Sequence, residues 1–249
     1  MKNIVEITNM CLNYHTPEGE TEAVKDFSIS VKEGEFVAIV GPSGCGKSTI
    51  LSVISGLLKP TSGTIAINTD KTVGYMLQKD YLFEWRTIFD NVCLGPEIQK
   101  NLTSDKKEFA ETLLKQYGLW DFRNSYPSQL SGGMRQRTAL IRTLMLKPEL
   151  MLLDEPFSAL DYQTRLSVSD EIGTIIRKEK KTAILVTHDI SEAISLSDRV
   201  IVLTKRPATV KSIYEIKLTA DERTPMKSRE SPEFKDYFNT IWKELDLNV

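Results

Sequence analysis

The 249-residue sequence has few cysteines and no long apolar segment. Cys11, Cys45 and Cys93 have neither paired nor metal-ligand spacing, which argues against a structural zinc site and is typical of a reducing compartment. No stretch reaches the roughly 18 apolar residues of a spanning helix, and Glu6 interrupts the segment where a signal peptide would need apolar residues. We therefore expect a cytosolic protein that meets a membrane only through a partner.

The sequence also lacks a strong charge of either sign. Its 32 Lys and Arg residues against 34 Asp and Glu give a formal net charge of −2, and the basic residues are scattered. Phosphate-backbone binding needs clustered basic residues, so we expect no nucleic-acid partner. With 41% hydrophobic and 27% charged residues, residues 1–249 are expected to form one globular catalytic domain with insertions.

Three nearly continuous apolar runs predict strands that are buried on both faces of a parallel sheet. They span residues 35–40, 150–153 and 183–186, and each precedes a polar cluster and a helical pattern. This arrangement predicts a doubly wound α/β core, in which ligands bind beyond the carboxyl ends of the strands. The three polar clusters should therefore converge on one site.

The remaining segments predict additions to this core. Residues 4–31 alternate apolar and polar side chains, which indicates an N-terminal antiparallel β subdomain with one polar face. Residues 91–148 lack a buried-strand signal and are interpreted as an inserted helical lobe, whereas residues 199–203 and 209–216 return to strand-like patterns. Residues 218–249 predict a Pro- and charge-rich linker and then a helix whose apolar stripe docks on the core.

A phosphate-binding loop follows the first buried strand. Residues 41–48 are GPSGCGKS, which matches G-x-x-x-x-G-K-[ST] between a strand and a helical pattern. The glycines let backbone N–H groups surround phosphates, Lys47 supplies charge to the β- and γ-phosphates, and the Ser48 hydroxyl is a Mg²⁺ ligand. The predicted phosphate-binding residues are Gly41, Pro42, Ser43, Gly44, Cys45, Gly46, Lys47, Ser48 and Thr49.

The second buried strand ends in a pair of carboxylates, Asp154 and Glu155. Side chains alternate along a strand, so the two carboxylates should leave it in opposite directions. Asp154 is the candidate for holding Mg²⁺ through water, and Glu155 for activating the attacking water as general base. Alone, such a pair is often a helix cap or a surface feature, but the phosphate loop favours catalysis.

A second place suited to an anion lies at residues 130–133, which are LSGG. Ser131 has the N-cap position, and Gly132 and Gly133 open a helix. One nucleotide does not need two such sites from one chain.

At this point the sequence resembles the ATP-binding subunits of ATP-binding cassette (ABC) transporters. That family has six ordered motifs, which correspond here to residues 41–49, Gln78, residues 130–133, residues 154–155, Ala159-Leu160-Asp161 and His188. The resemblance implies a P-loop NTPase core with a mainly parallel sheet, and ATP and Mg²⁺ as cofactors. It also implies ATP hydrolysis coupled to transport, at the cytoplasmic face of the membrane, through transmembrane permease subunits.

The resemblance also implies residue roles. Ser131 and its two glycines would contact the γ-phosphate held by a second copy in a head-to-tail dimer, with Asp161 at that interface. His188 would contact the γ-phosphate and hold the attacking water, although a lone histidine after a strand is usually structural. Gln78 would join Mg²⁺ sensing to the permease, and Tyr14 would stack on adenine unless it is a plain strand-edge tyrosine.

Local signals resemble the importer branch for nitrate, sulfonate, taurine and bicarbonate. They are SGGMRQR after Leu130, the aromatic stretch at residues 81–85 and LDYQTR at residues 160–165, although Glu84 replaces a common proline. An extracytoplasmic substrate-binding protein would then be an indirect partner. Alternatives are an importer for pyrimidine-like vitamin precursors, an exporter subunit, and a soluble cassette ATPase of ribosomes or DNA. The chain ends soon after the core, so we expect no maltose-type regulatory domain.

Two further expectations concern single side chains. The residues expected to include a permease contact are Tyr81, Phe83, Trp85 and Phe89, of which at least two should instead pack inside the lobe. Cys45 lies at a helix N-terminus, which would lower its thiol pKa and make it the cysteine whose modification stops hydrolysis. The alternative is a small buried residue that reagents do not reach.

Overall fold

The computed structural model describes residues 2–17, 19–69, 72–158, 160–220 and 223–246, and every structural statement below concerns these residues. The strands are β1 (Asn3–Thr16), β2 (Gly19–Lys32), β3 (Phe36–Val40), β4 (Ser62–Ile67), β5 (Val73–Met76), β6 (Leu150–Asp154), β7 (Thr182–Val186), β8 (Arg199–Leu203) and β9 (Val210–Glu215). The helices are α1 (Lys47–Ile54), α2 (Ile88–Val92), α3 (Leu94–Ile98), α4 (Ser104–Gln116), α5 (Gly132–Leu144), α6 (Tyr162–Lys178), α7 (Ile190–Leu196), α8 (Pro225–Glu230) and α9 (Pro232–Asp246).

Six strands form the main sheet in the order β5-β6-β7-β3-β8-β9. β9 runs antiparallel to β8, and the other neighbours are parallel. The three apolar runs are β3, β6 and β7, which are adjacent and buried along their whole length. The predicted mainly parallel α/β core is therefore confirmed, and the carboxyl ends of its three central strands lie side by side.

A separate antiparallel sheet of order β2-β1-β4 contains the N-terminal strands, as predicted. It packs with α1 on one face of the main sheet, while the helical lobe, α6, α7 and α9 pack on the other. The alternation of β3 divides its side chains between the two cores. Phe36, Ala38 and Val40 join the helical side, and Val37 and Ile39 join the side of α1.

The segment between β5 and β6 is helical. It contains α2 to α5, and buried residues of this segment, among them Leu114 and Leu140, complete the core on the helical side of the sheet. In these described residues no helix is both long and apolar enough to cross a membrane.

The segment expected to be a linker contains α8, which corrects that interpretation for residues 225–230. Thr224 caps the helix by accepting a hydrogen bond from the Lys227 N–H, and Pro225 occupies its first turn, where proline is well tolerated. Pro225 and Ser228 are buried, so the helix is held by packing. Residues 221 and 222 of that segment lie outside the described residues.

The C-terminal helix α9 docks on β9. The Glu244 carboxylate accepts hydrogen bonds from the hydroxyls of Tyr214, at 2.6 Å, and Ser212, while Lys211 Nζ donates to the Glu244 carbonyl. Ile241, on the inner face of α9, is fully buried. The apolar stripe and this polar contact explain why the helix packs on the sheet.

Candidate active site

The loop between β3 and α1 has a backbone path that requires glycine. Gly44 and Gly46 have φ values of 71° and 126°, in the left-handed region. A Cβ added to Gly46 would lie 2.9 Å from the Ala23 carbonyl oxygen, which is too close for any side chain. The loop therefore turns tightly against β2, and α1 begins at Lys47 with its N–H groups at the carboxyl edge of the sheet.

Lys47 is a buried cation, only 6% exposed. Its Nζ donates to the carbonyl oxygens of Gly41, at 2.8 Å, and Pro42, at 3.0 Å. Within the described part of the chain these hydrogen bonds go to neutral carbonyls and not to a carboxylate. Asp154 attracts Lys47 through space, but the hydrogen bonds of the ammonium go to neutral carbonyls, so this arrangement fits an anionic ligand held in the loop.

Asp154, the last residue of β6, faces the phosphate loop. The Ser48 hydroxyl donates to Asp154 Oδ1 at 3.0 Å, and the Tyr75 hydroxyl lies 3.5 Å from Oδ2. Burial raises the pKa of Asp154 above its ordinary value, and the Ser48 hydrogen bond opposes that rise. A hydroxyl beside one carboxylate is the oxygen donor set that Mg²⁺ uses when substrate phosphates and water complete its shell.

Glu155 points elsewhere, because its backbone turns sharply. Its φ of 44° is rare outside glycine, and its N–H donates to the Val186 carbonyl at 2.8 Å. Gln78 Nε2 donates to Glu155 Oε2 at 3.0 Å, and His188 Nδ1 lies 3.3 Å from the same oxygen. Three residues predicted from separate motifs therefore meet at one carboxylate oxygen.

These groups surround a cleft of about 560 Å³. The residues that line it are Tyr14, Thr21, Ala23, Ser43, Gly44, Gly46, Lys47, Ser48, Thr49, Gln78, Glu155, His188 and Arg206. The Tyr14 hydroxyl lies 3.2 Å from Thr49 Oγ1, and Tyr14 is 40% exposed, which leaves ring surface open to the cleft. The size and the mixture of lining groups suit a small polar ligand with one aromatic face.

The LSGG residues form a different surface. Ser131 caps α5 by accepting from the Met134 N–H at 3.3 Å, and Gly133 lies against α6, where an added Cβ would be 2.7 Å from Thr164 Cγ2. Asp161 caps α6 by accepting from the Thr164 N–H at 3.1 Å. Among the described residues that line the cleft, Ser131, Gly132, Gly133 and Asp161 do not occur. Ala159 lies outside the described residues.

The position of Cys45 in the structure contradicts the prediction of a reactive thiol. Its side chain is 1% exposed and packs in the apolar core beneath the phosphate loop. Burial raises the pKa of the Cys45 thiol, outweighing the lowering effects of Lys47 and of nearby backbone N–H groups. The expectation of a reactive thiolate is therefore wrong, because desolvation exceeds the effect of the helix N-terminus at this depth.

Arg206 is a cleft residue that the sequence did not suggest. Its Nε and Nη2 donate to the Gly44 carbonyl at 3.1 and 2.8 Å, so it holds the phosphate loop from outside. β8 pairs with β3, and this pairing brings the loop after Leu203 to the phosphate loop. A basic residue after a strand was the available signal, but it carries meaning only once the strand order is known.

The fold and the cleft together define a nucleotide-hydrolysing protein of the P-loop class. The family model described as "ABC transporter" matches residues 24–158. The chain is 43% identical over 250 residues to the uncharacterised ABC transporter ATP-binding protein YtlC of Bacillus subtilis, covering 98% of this chain and 96% of the relative. The chain therefore belongs to the ABC transporter family, and it is an ATP-binding subunit that hydrolyses ATP.

Other relatives have more specific names. The taurine import ATP-binding protein TauB of Roseobacter denitrificans is 36% identical, covering 96% of this chain and 94% of its own length. The nitrate import ATP-binding protein NrtD of Synechocystis is 37% identical, at 95% and 93% coverage. Among solved structures, a dimeric post-hydrolysis state of the cassette MJ0796 bound to ADP and Pi has a TM-score of 0.76 and 33% identity, covering 86% of this chain and 99% of that one.

Proposed function

We propose that this protein powers the import of a small anion, such as nitrate, sulfonate, taurine or bicarbonate, as the ATPase subunit of an ABC importer. The observation that carries the ATPase part is the meeting of Gln78 and His188 at the Glu155 carboxylate, in the cleft that also contains Lys47. The import part is supported by the taurine and nitrate import relatives.

The side chains in and beside the cleft have separate proposed tasks, and Gln78 has two. Lys47 and the loop N–H groups bind the β- and γ-phosphates, and Ser48, Asp154 and Gln78 hold Mg²⁺. When bound by these residues, Mg²⁺ would neutralise phosphate charge. Glu155 accepts the proton of the attacking water.

His188 and Gln78 act on that base in the proposal. Both contact the same oxygen of Glu155, which leaves the other carboxylate oxygen to face the water. A carboxylate fixed by two neighbours loses less freedom when the water is activated. Tyr14 offers its ring to the adenine at the other end of the cleft.

The active form is proposed to be a head-to-tail dimer. Ser131 and Asp161 are exposed and do not line the cleft of their own chain, so both are free to meet a second copy. The dimeric MJ0796 cassette supports this arrangement. Ser131, Gly132 and Gly133 of one copy would then contact the γ-phosphate bound by Lys47 of the other.

The proposed permease contact is the aromatic surface formed by Tyr81, Phe83 and Trp85. Tyr81 is 59% exposed and Trp85 is 73% exposed, and the Phe83 and Trp85 rings stack with centroids 4.8 Å apart. Phe89 instead packs against the core of the helical lobe. Exposed stacked aromatics are typical of a protein–protein contact, and this contact would hold the subunit at the cytoplasmic face of the membrane.

Purification of the intact transporter tests the substrate and the direction of transport. We expect the ATPase to co-purify with permease subunits and with a substrate-binding protein whose bound molecule, identified by mass spectrometry, is a small anion. Proteoliposomes containing the complex should then accumulate that anion only with ATP. A bound vitamin precursor, or transport in the export direction, would contradict the anion importer and leave the ATPase assignment intact.

A further inference from the structure

Arg165, in the first turn of α6, joins two loops of the active-site region. Its Nη2 donates to the Leu160 carbonyl at 3.2 Å, and Nη1 lies 3.5 Å from Asp189 Oδ2. Its Nε lies 3.9 Å from Glu192 Oε1. Leu160 precedes the proposed dimer residue Asp161, while Asp189 and Glu192 follow His188. We call Arg165 with Leu160, Asp189 and Glu192 the arginine bridge.

The acidic end of the bridge fixes the backbone on both sides of His188. Glu192 is 5% exposed, and its Oε2 accepts a hydrogen bond from the Thr187 hydroxyl at 2.7 Å. The same hydroxyl accepts from the Asp189 N–H at 3.0 Å. Thr187 and Asp189 are the two neighbours of His188, so any shift of the bridge moves the backbone that carries the imidazole.

The His188 side chain depends on this backbone more than on its own packing. It is 52% exposed, and its contact with Glu155 Oε2 spans 3.3 Å. A displacement of about 1 Å between reacting groups can cost about 10²-fold in rate. Guanidinium can reach a carbonyl and two carboxylates at once, whereas a lysine ammonium at the same place is a single point charge.

We propose that Arg165 is a positioning residue that transmits the state of the Leu160–Asp161 loop to His188. Packing of a second copy against Asp161 would hold the Leu160 carbonyl, and the arginine bridge would then hold the His188 loop towards Glu155. Each cleft would thus become competent only when the interface of its own chain is formed. This inference rests on the proposed roles of His188 and of the dimer.

Arg177 provides a matched control on the same helix. Its side chain is 29% exposed against 24% for Arg165. It also pairs with a carboxylate, Asp198 at 3.1 Å, and donates to a carbonyl, Leu196 at 2.7 Å. Neither contact involves the His188 loop, so Arg177→Ala removes a similar set of interactions without disturbing the proposed relay.

The first measurement compares Arg165→Ala, Arg165→Lys and Arg177→Ala in the full-length protein, with kcat, KM for Mg-ATP and melting temperature for each. We expect Arg165→Ala to lower kcat by at least about tenfold, with KM changed less than about twofold, because the binding groups are untouched. Arg165→Lys should recover only part of kcat. Arg177→Ala should melt at a lower temperature with unchanged kcat. Equal kcat in the Arg165 and Arg177 variants would overturn the proposal.

The second measurement repeats Arg165→Ala in a His188→Ala background under single-turnover conditions with enzyme in excess. If Arg165 acts through His188, its removal should lower the rate less than about twofold there, because the coupled group is already gone. An equal loss in both backgrounds, with His188→Ala itself slow, would overturn the arginine bridge alone. A His188→Ala protein at the wild-type rate would overturn both the bridge and the proposed role of His188.

Discussion

Replacing Glu155 by glutamine separates binding from chemistry. Glutamine keeps the shape of the side chain and can still contact Gln78 and His188, but it cannot accept a proton. General-base assistance is typically worth about 10²–10⁴-fold, or about 2.7–5.5 kcal/mol of barrier, and turnover should fall by that factor. ATP binding should persist, because the Lys47 contacts and the Ser48–Asp154 hydrogen bond do not involve Glu155.

The assay combines turnover with size-exclusion chromatography in Mg-ATP. Glu155→Gln should collect as an ATP-bound dimer, whereas the wild type returns to monomers or open dimers after hydrolysis. Lys47→Ala should instead lose nucleotide affinity, because it removes the buried cation of the loop. Glu179→Gln, at an exposed glutamate on the end of α6, is the matched control and should leave turnover unchanged. A Glu155→Gln protein that hydrolyses ATP at close to the wild-type rate would refute the role of Glu155 as general base. Asp154 or His188 would then be the candidate residue acting on water.

Three other outcomes follow from the structure. Iodoacetamide should modify the half-buried Cys11 well before the buried Cys45, with or without Mg-ATP, as measured by peptide mass spectrometry. Rapid labelling of Cys45 that is blocked by nucleotide would contradict its burial. Burial raises the pKa of Glu192 to about 7, so its charge costs native stability increasingly as pH rises from about 4.5 through 7. Between pH 5 and pH 8, Glu192→Gln should therefore gain on the order of 2 kcal/mol in unfolding free energy relative to wild type, and a pH-independent difference would argue against this. Trp85→Glu should abolish co-purification of the permease, whereas Trp242→Glu, at another exposed aromatic residue, should not. If both variants retained the permease equally, the aromatic surface would not be the permease contact.

The sequence contains enough to predict the central strands and the chemistry at their ends. A strand buried on both faces is apolar along most of its length, so the runs at residues 35–40, 150–153 and 183–186 are recognisable without any knowledge of their neighbours. The signal of the phosphate loop is equally local, because its glycines are required by the backbone conformation of the loop itself. The divergence of Asp154 and Glu155 is predictable from the period of a strand, although in the structure the strand ends at Asp154 and a turn with positive φ at Glu155 produces it.

Depth within the fold was not predictable in the same way. The position of Cys45 at a helix N-terminus is visible in the sequence, but its burial depends on the apolar core assembled from β1, β2 and the main sheet. The helix α8 was missed because its signals, Thr224 and Pro225, also occur in turns, and only its packing distinguishes the two.

By itself, the sequence determined which segments form buried strands, which loop is proposed to hold phosphates and which strand is followed by the two adjacent carboxylates. The tertiary structure alone decided that Arg206 meets Gly44, that Tyr75 meets Asp154 and that Arg165 links the loops of Leu160 and His188. Periodicity and motifs act over a few residues, because they express backbone geometry and local burial. Contacts between residues far apart in the chain depend on the order in which strands pair, and that order is settled by the packing of the whole domain.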